Sequence, residues 1–466
     1  MSEDSFDIFV VGGGPGGYVA AIRAAQLGMK TGIVERENLG GICLNWGCIP
    51  TKTLLKSAEV FHLLQRSEEY GITAKNVELN IEKIVSRSRN VANQLSNGIK
   101  HLMKKNKITV FEGHAEIQDK NSLKIKTINE EITVNSSNII LATGARPREL
   151  PNIKPDGDRI WTYKHAMVPQ TIPKSVLIIG SGAIGMEFAS FYRDLGTEVT
   201  VVELLDQILP AEDHDIAKFA AKAFEEQGIN ILTSSKVTEV GIEKKHARVT
   251  IEMQNKNKTE KIIEQVILAV GIIGNTENLG IEKTDIQIKN GHIITDKYSL
   301  TGQEGIYAIG DVTGPPWLAH KASHEAVTCV ENIAGLKNVH PITKENIPGC
   351  TYCRPQIASL GLTESESEKL GHKTKIGKFP FAGNGKALAM GENKGLIKTI
   401  FDRETGELLG AHMIGAEVTE LIHGFSIAKS METTERELIN TIFPHPTLSE
   451  MIHESVLDAY GQAIHI

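Results

Sequence analysis

Two stretches of the chain carry the same order of apolar and polar positions: FDIFVVGGGPGGYVAAIRAAQLGMKTGIVE (6–35) and SVLIIGSGAIGMEFASFYRDLGTEVTVVE (175–203). Each opens on a short apolar run that predicts a buried strand and passes through Gly-x-Gly-x-x-Gly. Small and apolar residues at helical spacing follow, ending at Leu-Gly, and a second apolar strand closes on Glu. The offset is 168 positions for Gly12 and Gly180, and again for Glu35 and Glu203. Residues 83–105 and 213–227 have the spacing of amphipathic helices, and KNKTEK (256–261) reads as a polar hairpin tip. NIILATGARPRELP (138–151), VILAVGIIGN (266–275) and GIYAIGDVTG (305–314) read as apolar strands running into glycine-rich turns. From about residue 347 the pattern alternates (QIASLGL, LIKTIFD, ELLGAHMIG) and then turns helical, which predicts an α+β domain without a glycine-rich fingerprint.

A strand, a glycine-rich turn, a helix and an acid 23 positions after the first glycine meet the requirements of a dinucleotide-binding unit, here twice over. The glycines Gly12, Gly14 and Gly17, and Gly180, Gly182 and Gly185, let backbone approach a pyrophosphate, which the following helix N-terminus attracts. Glu35 and Glu203 are placed to accept hydrogen bonds from ribose hydroxyls. A carboxylate repels a 2′-phosphate, so Glu203 predicts NAD rather than NADP at the second site. Two adjacent units suggest that one nucleotide hands electrons to the other: FAD held tightly and non-covalently at the first, NAD exchanging at the second. The fold class expected is α/β, with two Rossmann-like domains and a C-terminal α+β domain. The boundaries expected are 1–148 for FAD, 149–275 for NAD, 276–346 for a central segment completing the FAD region, and 347–466 for the last domain.

The net charge of −7 over 466 residues, with no basic stripe, argues against a nucleic-acid partner. No apolar run reaches the roughly 18 residues of a membrane span. The acidic opening MSEDSFD has the wrong charge for a secretory or transit peptide, and five cysteines do not make a secreted framework, so the expected compartment is the cytoplasm.

Cys43 and Cys48 stand five positions apart in GGICLNWGCIPTK (40–52). As metal ligands they lack nearby partners, and no metal site is expected. As a staple they would close a loop too short to constrain much of the unfolded chain. As redox groups they have a physical basis. Pro50 suits the start of a helix, so Cys48 would lie near a helix N-terminus, with Lys52 close by to favour a thiolate. Residues five apart on a regular helix diverge by about 140°, so pairing requires a bend, which Gly40, Gly41 and Gly47 permit.

Taken with VVGGGPGGYVAA, this segment resembles the flavin-dependent pyridine-nucleotide disulfide oxidoreductases. The likeness runs over essentially the whole chain, through ATGARP (142–147), AIGDVTG (308–314) and HPTLSE (445–450). It implies that Cys43 exchanges with substrate, that Cys48 faces the flavin, and that Lys52 sits near the flavin, paired with Glu187. It assigns Glu35, Gly113, Thr143, Gly144 and Asp311 to FAD and Gly271 to NAD. A dithiol substrate needs a base, and His445 with Glu450 five residues on supplies one. The resemblance further implies a homodimer, joined through 347–466, in which His445 and Glu450 reach the other subunit's disulfide. Glu203, and a C-terminus (AYGQAIHI) without thiols, point to the branch that oxidises protein-bound dihydrolipoyl groups with NAD+. Its partners would be the lipoyl domains and acyltransferase core of a 2-oxoacid dehydrogenase complex. The alternatives are an NAD(P)H-dependent reductase of another small disulfide and a non-catalytic flavoprotein redox sensor. Three departures from the family pattern stand out: Trp46 for a small aliphatic residue, Ile273-Gly274-Asn275 for a basic-Pro-Asn turn, and Cys353, which forms a CxxC with Cys350.

Overall fold

The computed structural model describes residues 4–466, which fall into two compact units. The first joins the residues up to Leu54 with Glu82–Arg148 and Gly271–Ile342; the second joins Leu55–Ile81, Glu149–Val270 and Thr343–Ile466.

In the first unit the strand Asp4–Val11 pairs in parallel with Thr31–Glu35 on one side and Glu131–Leu141 on the other. Thr109–Glu112 extends the sheet beyond Thr31–Glu35, and Ile306–Ala308 joins Glu131–Leu141, both in parallel. The hairpin of His114–Asp119 and Ser122–Lys126 adds an antiparallel edge. Side-chain alternation sends Ile8 and Val10 to one face, against Ala20, Ala21 and Ala24 of helix α1 (Pro15–Gln26). Phe9 and Val11 go to the other face with Ile139 and Leu141. The run of fully buried alanines lets α1 lie close on the sheet. Three more helices matter for the site: α2 (Gly41–Trp46), α3 (Cys48–Gln65) and α4 (Ile81–Lys105). Helix α3 starts two residues before the expected Pro50. A proline in the first turn is tolerated because that turn's N–H groups have no intrahelical partner.

The second unit repeats the construction. Ser175–Ile179 lies between Glu198–Val202 and Gln265–Leu268, all parallel, with Asn230–Leu232 and Ile160–Trp161 outside them. A three-stranded antiparallel sheet follows (Lys236–Ile242, Ala247–Glu252, Lys258–Ile263). The hairpin tip expected at 256–261 sits earlier, where Met253 N–H donates to Asn257 O at 2.9 Å. The polar residues from Lys258 onward are already strand, with Lys258, Thr259 and Glu260 exposed and Lys261 half-buried. The C-terminal part is a five-stranded antiparallel sheet, in the order Gly349–Thr351, Gln356–Gly361, Leu408–Gly415, Leu396–Asp402, Thr374–Pro380. Phe379, Phe401 and Met413 of the sheet share a core with Phe425 of the helix Val418–Ser430 and Met451 of the helix Glu450–Ala459. Among the described residues no helix is long and apolar enough to cross a membrane.

Candidate active site

The two glycine-rich turns are built alike at their three shared glycines. Gly12 and Gly180 take φ of 106° and 99°, where a side chain would be strained. A Cβ on Gly17 would sit 1.8 Å from Gly12 O, and one on Gly185 2.1 Å from Gly180 O. The third glycine therefore lets the helix pack on its own turn. Gly14 and Gly182 differ from these. Their φ values, −70° and −67°, suit any residue. An added Cβ would meet only Gly41 Cα at 3.9 Å in one case and nothing within 4 Å in the other. Nothing inside the chain requires glycine at either position. What fits is a ligand approaching bare backbone at the helix N-terminus, which has no side-chain cap in either repeat. Both turns therefore suit a dinucleotide.

The acids match as well. Glu35 accepts from Gly13 N at 2.7 Å and from Glu37 N at 2.8 Å. Glu203 accepts from Ser181 N at 2.9 Å and Leu205 N at 2.9 Å, and also from Ser181 Oγ at 2.7 Å. Gly144 and Gly271 have positive φ with open space where a Cβ would stand. Gly113 has a packing reason of its own, since its Cβ would lie 2.4 Å from Lys126 O. Thr143 Oγ1 donates to Asn275 O at 2.7 Å, and Asn275 Nδ2 donates back to Thr143 O at 2.9 Å. The turn at 273–275 lacks a basic residue of its own, but Arg146 supplies one, donating to Gly274 O at 2.9 Å and pairing with Glu277.

Burial pushes the Asp311 carboxyl up to about 6, against the pull of Lys321. Lys321, which sequence reasoning passed over, is buried. It bridges Glu325 at 3.0 Å, Gly314 O at 3.1 Å and Thr313 Oγ1 at 3.2 Å. Glu325 in turn accepts from Gly310 N at 2.7 Å. The signal was present as HKASHEA, in which Lys321 and Glu325 share a helix face four residues apart.

The cysteine segment bends as its spacing requires. Gly40 and Gly41 turn through positive φ into α2; Gly47 breaks it at φ −144°, ψ −116°, and Cys48 opens α3. Cys43 and Cys48 share a hydrogen bond. That bond, with burial, holds the Cys43 thiol well above its ordinary range, while Lys52 opposes the shift. Burial and the two sulfurs together raise the Tyr18 phenol, which places this α1 residue beside the pair. The segment also rests on the first turn: Gly40 N–H donates to Gly13 O at 2.8 Å, and a Cβ on Gly41 would stand 2.7 Å from Gly14 Cα.

In the second unit His445 Nδ1 bonds Glu450 Oε1 at 2.9 Å, and Glu450 Oε2 accepts from Thr447 N at 2.9 Å. Burial alone would raise Glu450; the Thr447 N–H and the His445 ring outweigh it and hold the carboxyl below the usual range. With Nδ1 engaged, Nε2 is the nitrogen left to take a proton. The imidazole is well exposed, its side chain 79% accessible. Glu187 accepts from Tyr352 N at 3.0 Å. Cys353 is buried, its sulfur 3.2 Å from Pro355 O, and Cys350 packs against the C-terminal core. Among the described residues no cluster of three or more His, Cys, Asp or Glu could hold a metal ion.

Comparison with known proteins agrees with this construction. Residues 6–326 match the family described as pyridine nucleotide-disulphide oxidoreductase, and residues 347–456 match its dimerisation domain. The chain is 52% identical over 463 residues to a dihydrolipoyl dehydrogenase of Zymomonas mobilis, covering 99% of both. It is 43% identical over 470 residues to one of Bacillus subtilis, again covering 99% of both. Among solved structures, LpdA of Mycobacterium tuberculosis superimposes with a TM-score of 0.90 at 28% identity, over 97% of this chain and 99% of the other. The flavoprotein disulfide reductase RclA of Escherichia coli shares the fold, with a TM-score of 0.87 at 24% identity over 98% of this chain and 99% of the other. Duplicated turns, a hydrogen-bonded cysteine pair, and a match that takes in both the nucleotide-binding and the dimerisation regions lead to one conclusion: the chain belongs to the pyridine nucleotide-disulphide oxidoreductase family.

Proposed function

We infer that this chain is a dihydrolipoyl dehydrogenase, oxidising protein-bound dihydrolipoyl groups to the lipoyl disulfide with NAD+ as the final acceptor. The observation that carries the reading is the full-length identity, up to 52%, to dihydrolipoyl dehydrogenases, in a chain with a bent cysteine pair and an imidazole–carboxylate pair.

In this reading His445 Nε2 takes a proton from one substrate thiol, and Glu450 stabilises the imidazolium that forms. The substrate thiolate attacks Cys43 Sγ of the Cys43–Cys48 disulfide, and Cys48 leaves as a thiolate favoured by Lys52 and the start of α3. The second substrate sulfur attacks the first, closing the lipoyl ring; Cys43 leaves with the proton that His445 holds, and His445 takes the proton of the second thiol. Two electrons and two protons have then left the substrate. FAD, when bound, would supply the two-electron redox chemistry that links the dithiol to the nicotinamide. Gly12, Gly14, Gly17, Glu35, Thr143, Gly144 and Asp311 hold FAD, and Gly180, Gly182, Gly185, Glu203 and Gly271 hold NAD. Across the dimer, His445 serves Cys43 of the partner subunit. The lipoyl domain and acyltransferase core of a 2-oxoacid dehydrogenase complex are the partners, and the setting is cytoplasmic.

The test is an anaerobic titration of the flavin-loaded protein with dihydrolipoamide, followed by NAD+. A long-wavelength thiolate–flavin band that NAD+ discharges as NADH, and that Cys48→Ser abolishes, is the expected result. An unchanged spectrum, with turnover only on NADPH and another disulfide, would overturn the substrate assignment.

A further inference from the structure

Trp46, between the two cysteines, is the departure that the reaction leaves unexplained. Helix α4 lies along the whole cysteine segment and donates side-chain hydrogen bonds to its backbone carbonyls. Ser96 Oγ reaches Leu39 O at 2.9 Å, and Arg89 Nη1 reaches Asn45 O at 2.7 Å. Ser88 Oγ reaches Pro50 O at 3.0 Å, and Arg87 Nη1 reaches Thr53 O at 3.0 Å. The Asn45 carbonyl belongs to the last turn of α2, where no intrahelical donor is available. A cationic donor there also suits the negative end of the helix.

The same guanidinium lies over the Trp46 ring, its Cζ 4.4 Å from the centroid. Arg89 Nε and Nη2 are buried without a hydrogen-bond acceptor, and no ion pair among the described residues holds this arginine. A guanidinium held that way is costly unless something replaces water. The indole face does so, and a desolvated cation–π contact is among the stronger ones.

We propose that Trp46 and Arg89 act as one positioning device for the redox pair. Arg89 caps α2 at Asn45, and the Trp46 ring lies against the guanidinium. Together they fix where α2 ends and Gly47 turns, and so how closely Cys43 faces Cys48. The proposal rests on Cys43 and Cys48 being the exchanging pair. Neither residue touches substrate; both act through the backbone of α2. The pairing also accounts for an aromatic residue where a small aliphatic one is usual, because without Trp46 the half-buried Arg89 would keep the Asn45 carbonyl but lose the ring face beside its guanidinium.

The test measures disulfide closure directly. Holoenzyme is equilibrated anaerobically with graded ratios of oxidised to reduced dithiothreitol. Closure transfers two electrons and two protons from the Cys43 and Cys48 thiols to the reagent's disulfide. Samples are quenched in acid, labelled with maleimide, and the peptide holding both cysteines is read by mass spectrometry; the flavin spectrum reports folding. Arg89→Leu is expected to lower the disulfide-to-dithiol ratio about tenfold, the worth of one charge-assisted hydrogen bond, or about 30 mV for a two-electron couple. Trp46→Val should do the same, and Trp46→Phe, which keeps a ring face, should stay within about twofold of wild type. Arg89→Lys should recover only part, since it keeps the charge but not the guanidinium's fork of donors and its face. The double variant Trp46→Val/Arg89→Leu should fall no further than either single change, as expected for one device. A product of the two single effects, or full rescue by lysine, would overturn the pairing. Arg89→Leu titrating with wild type would overturn the role itself. A wild-type peptide that labels equally at every ratio would instead sink the redox assignment of the cysteines.

Discussion

Replacing Lys398 with methionine should destabilise the second unit without touching the chemistry. Its ammonium is 2.8 Å from Asp213, 2.8 Å from Asp215 and 2.6 Å from Glu364, and its side chain is only 1% exposed. Asp215 keeps Lys378 at 2.8 Å in the variant. Asp213, itself 2% exposed, loses the ammonium it pairs with and keeps two backbone donors, Asp215 N and Glu364 N. Breaking a buried pair from one side costs about 3–5 kcal/mol; the surviving N–H bonds put this case at about 3. At about 2–4 °C per kcal/mol, the calorimetric transition should fall by about 6–12 °C. The pH dependence has a definite sign. Burial raises Asp213 and Asp215, but the lysine hydrogen bonds outweigh it, leaving Asp213 below its usual range and Asp215 at about 2. In the wild type their contribution is therefore present above the unfolded value near 4 and lost only as pH falls toward 2. In the variant, burial of Asp213 is opposed by its N–H donors and His412 but no longer by the lysine, so its pKa rises and acid relieves the strain. The gap in Tm between the two proteins should narrow from pH 7.5 to pH 5. A gap that stays constant or widens, or a loss below about 1 kcal/mol, would refute this account of the cluster.

Gly185→Ala places a methyl 2.1 Å from Gly180 O; NAD+ affinity should fall at least about tenfold by fluorescence titration, while the yellow flavin stays bound. Ser181→Ala removes the hydroxyl bond to Glu203, and the KM for NAD+ should rise about two- to tenfold with kcat unchanged. Glu450→Ala frees the His445 ring and should lower kcat by about a hundredfold with dihydrolipoamide; an unaltered pH–rate profile would argue against His445 as the base.

The repeat was legible because its requirements are local. Backbone at positive φ, at Gly12 and Gly180, and a helix packed on its own turn, at Gly17 and Gly185, leave glycine as the only residue that fits. The bend between Cys43 and Cys48 could be anticipated from Gly40, Gly41 and Gly47 for the same reason. What escaped was long-range. Residues 83–105 read as an amphipathic helix, but nothing in that periodicity shows Arg87, Ser88, Arg89 and Ser96 clasping carbonyls 34 to 57 positions away. Lys398 sat unnoticed in LIKTIFD, a strand whose alternation looks ordinary, because its three acids come from distant segments. Arg146 replaced a missing basic residue from the opposite strand, a substitution visible only once Ala145–Pro147 pairs with Ile272–Gly274.

The contact of the cysteine segment with the first glycine-rich turn has a consequence for engineering. Gly40 hydrogen-bonds to Gly13, and Gly41 leaves no room for a side chain over Gly14. Backbone rests on backbone, with no rotamer between them to adjust. The start of the cysteine segment is therefore held against the first glycine-rich turn by main-chain geometry, and no conservative side-chain change at Gly13, Gly14, Gly40 or Gly41 can tune that contact. A designer moving the cysteine loop into another Rossmann scaffold would have to transplant the Gly12–Gly17 turn with it. A library that varies one without the other should return folded proteins whose sulfurs stand at the wrong distance to exchange electrons.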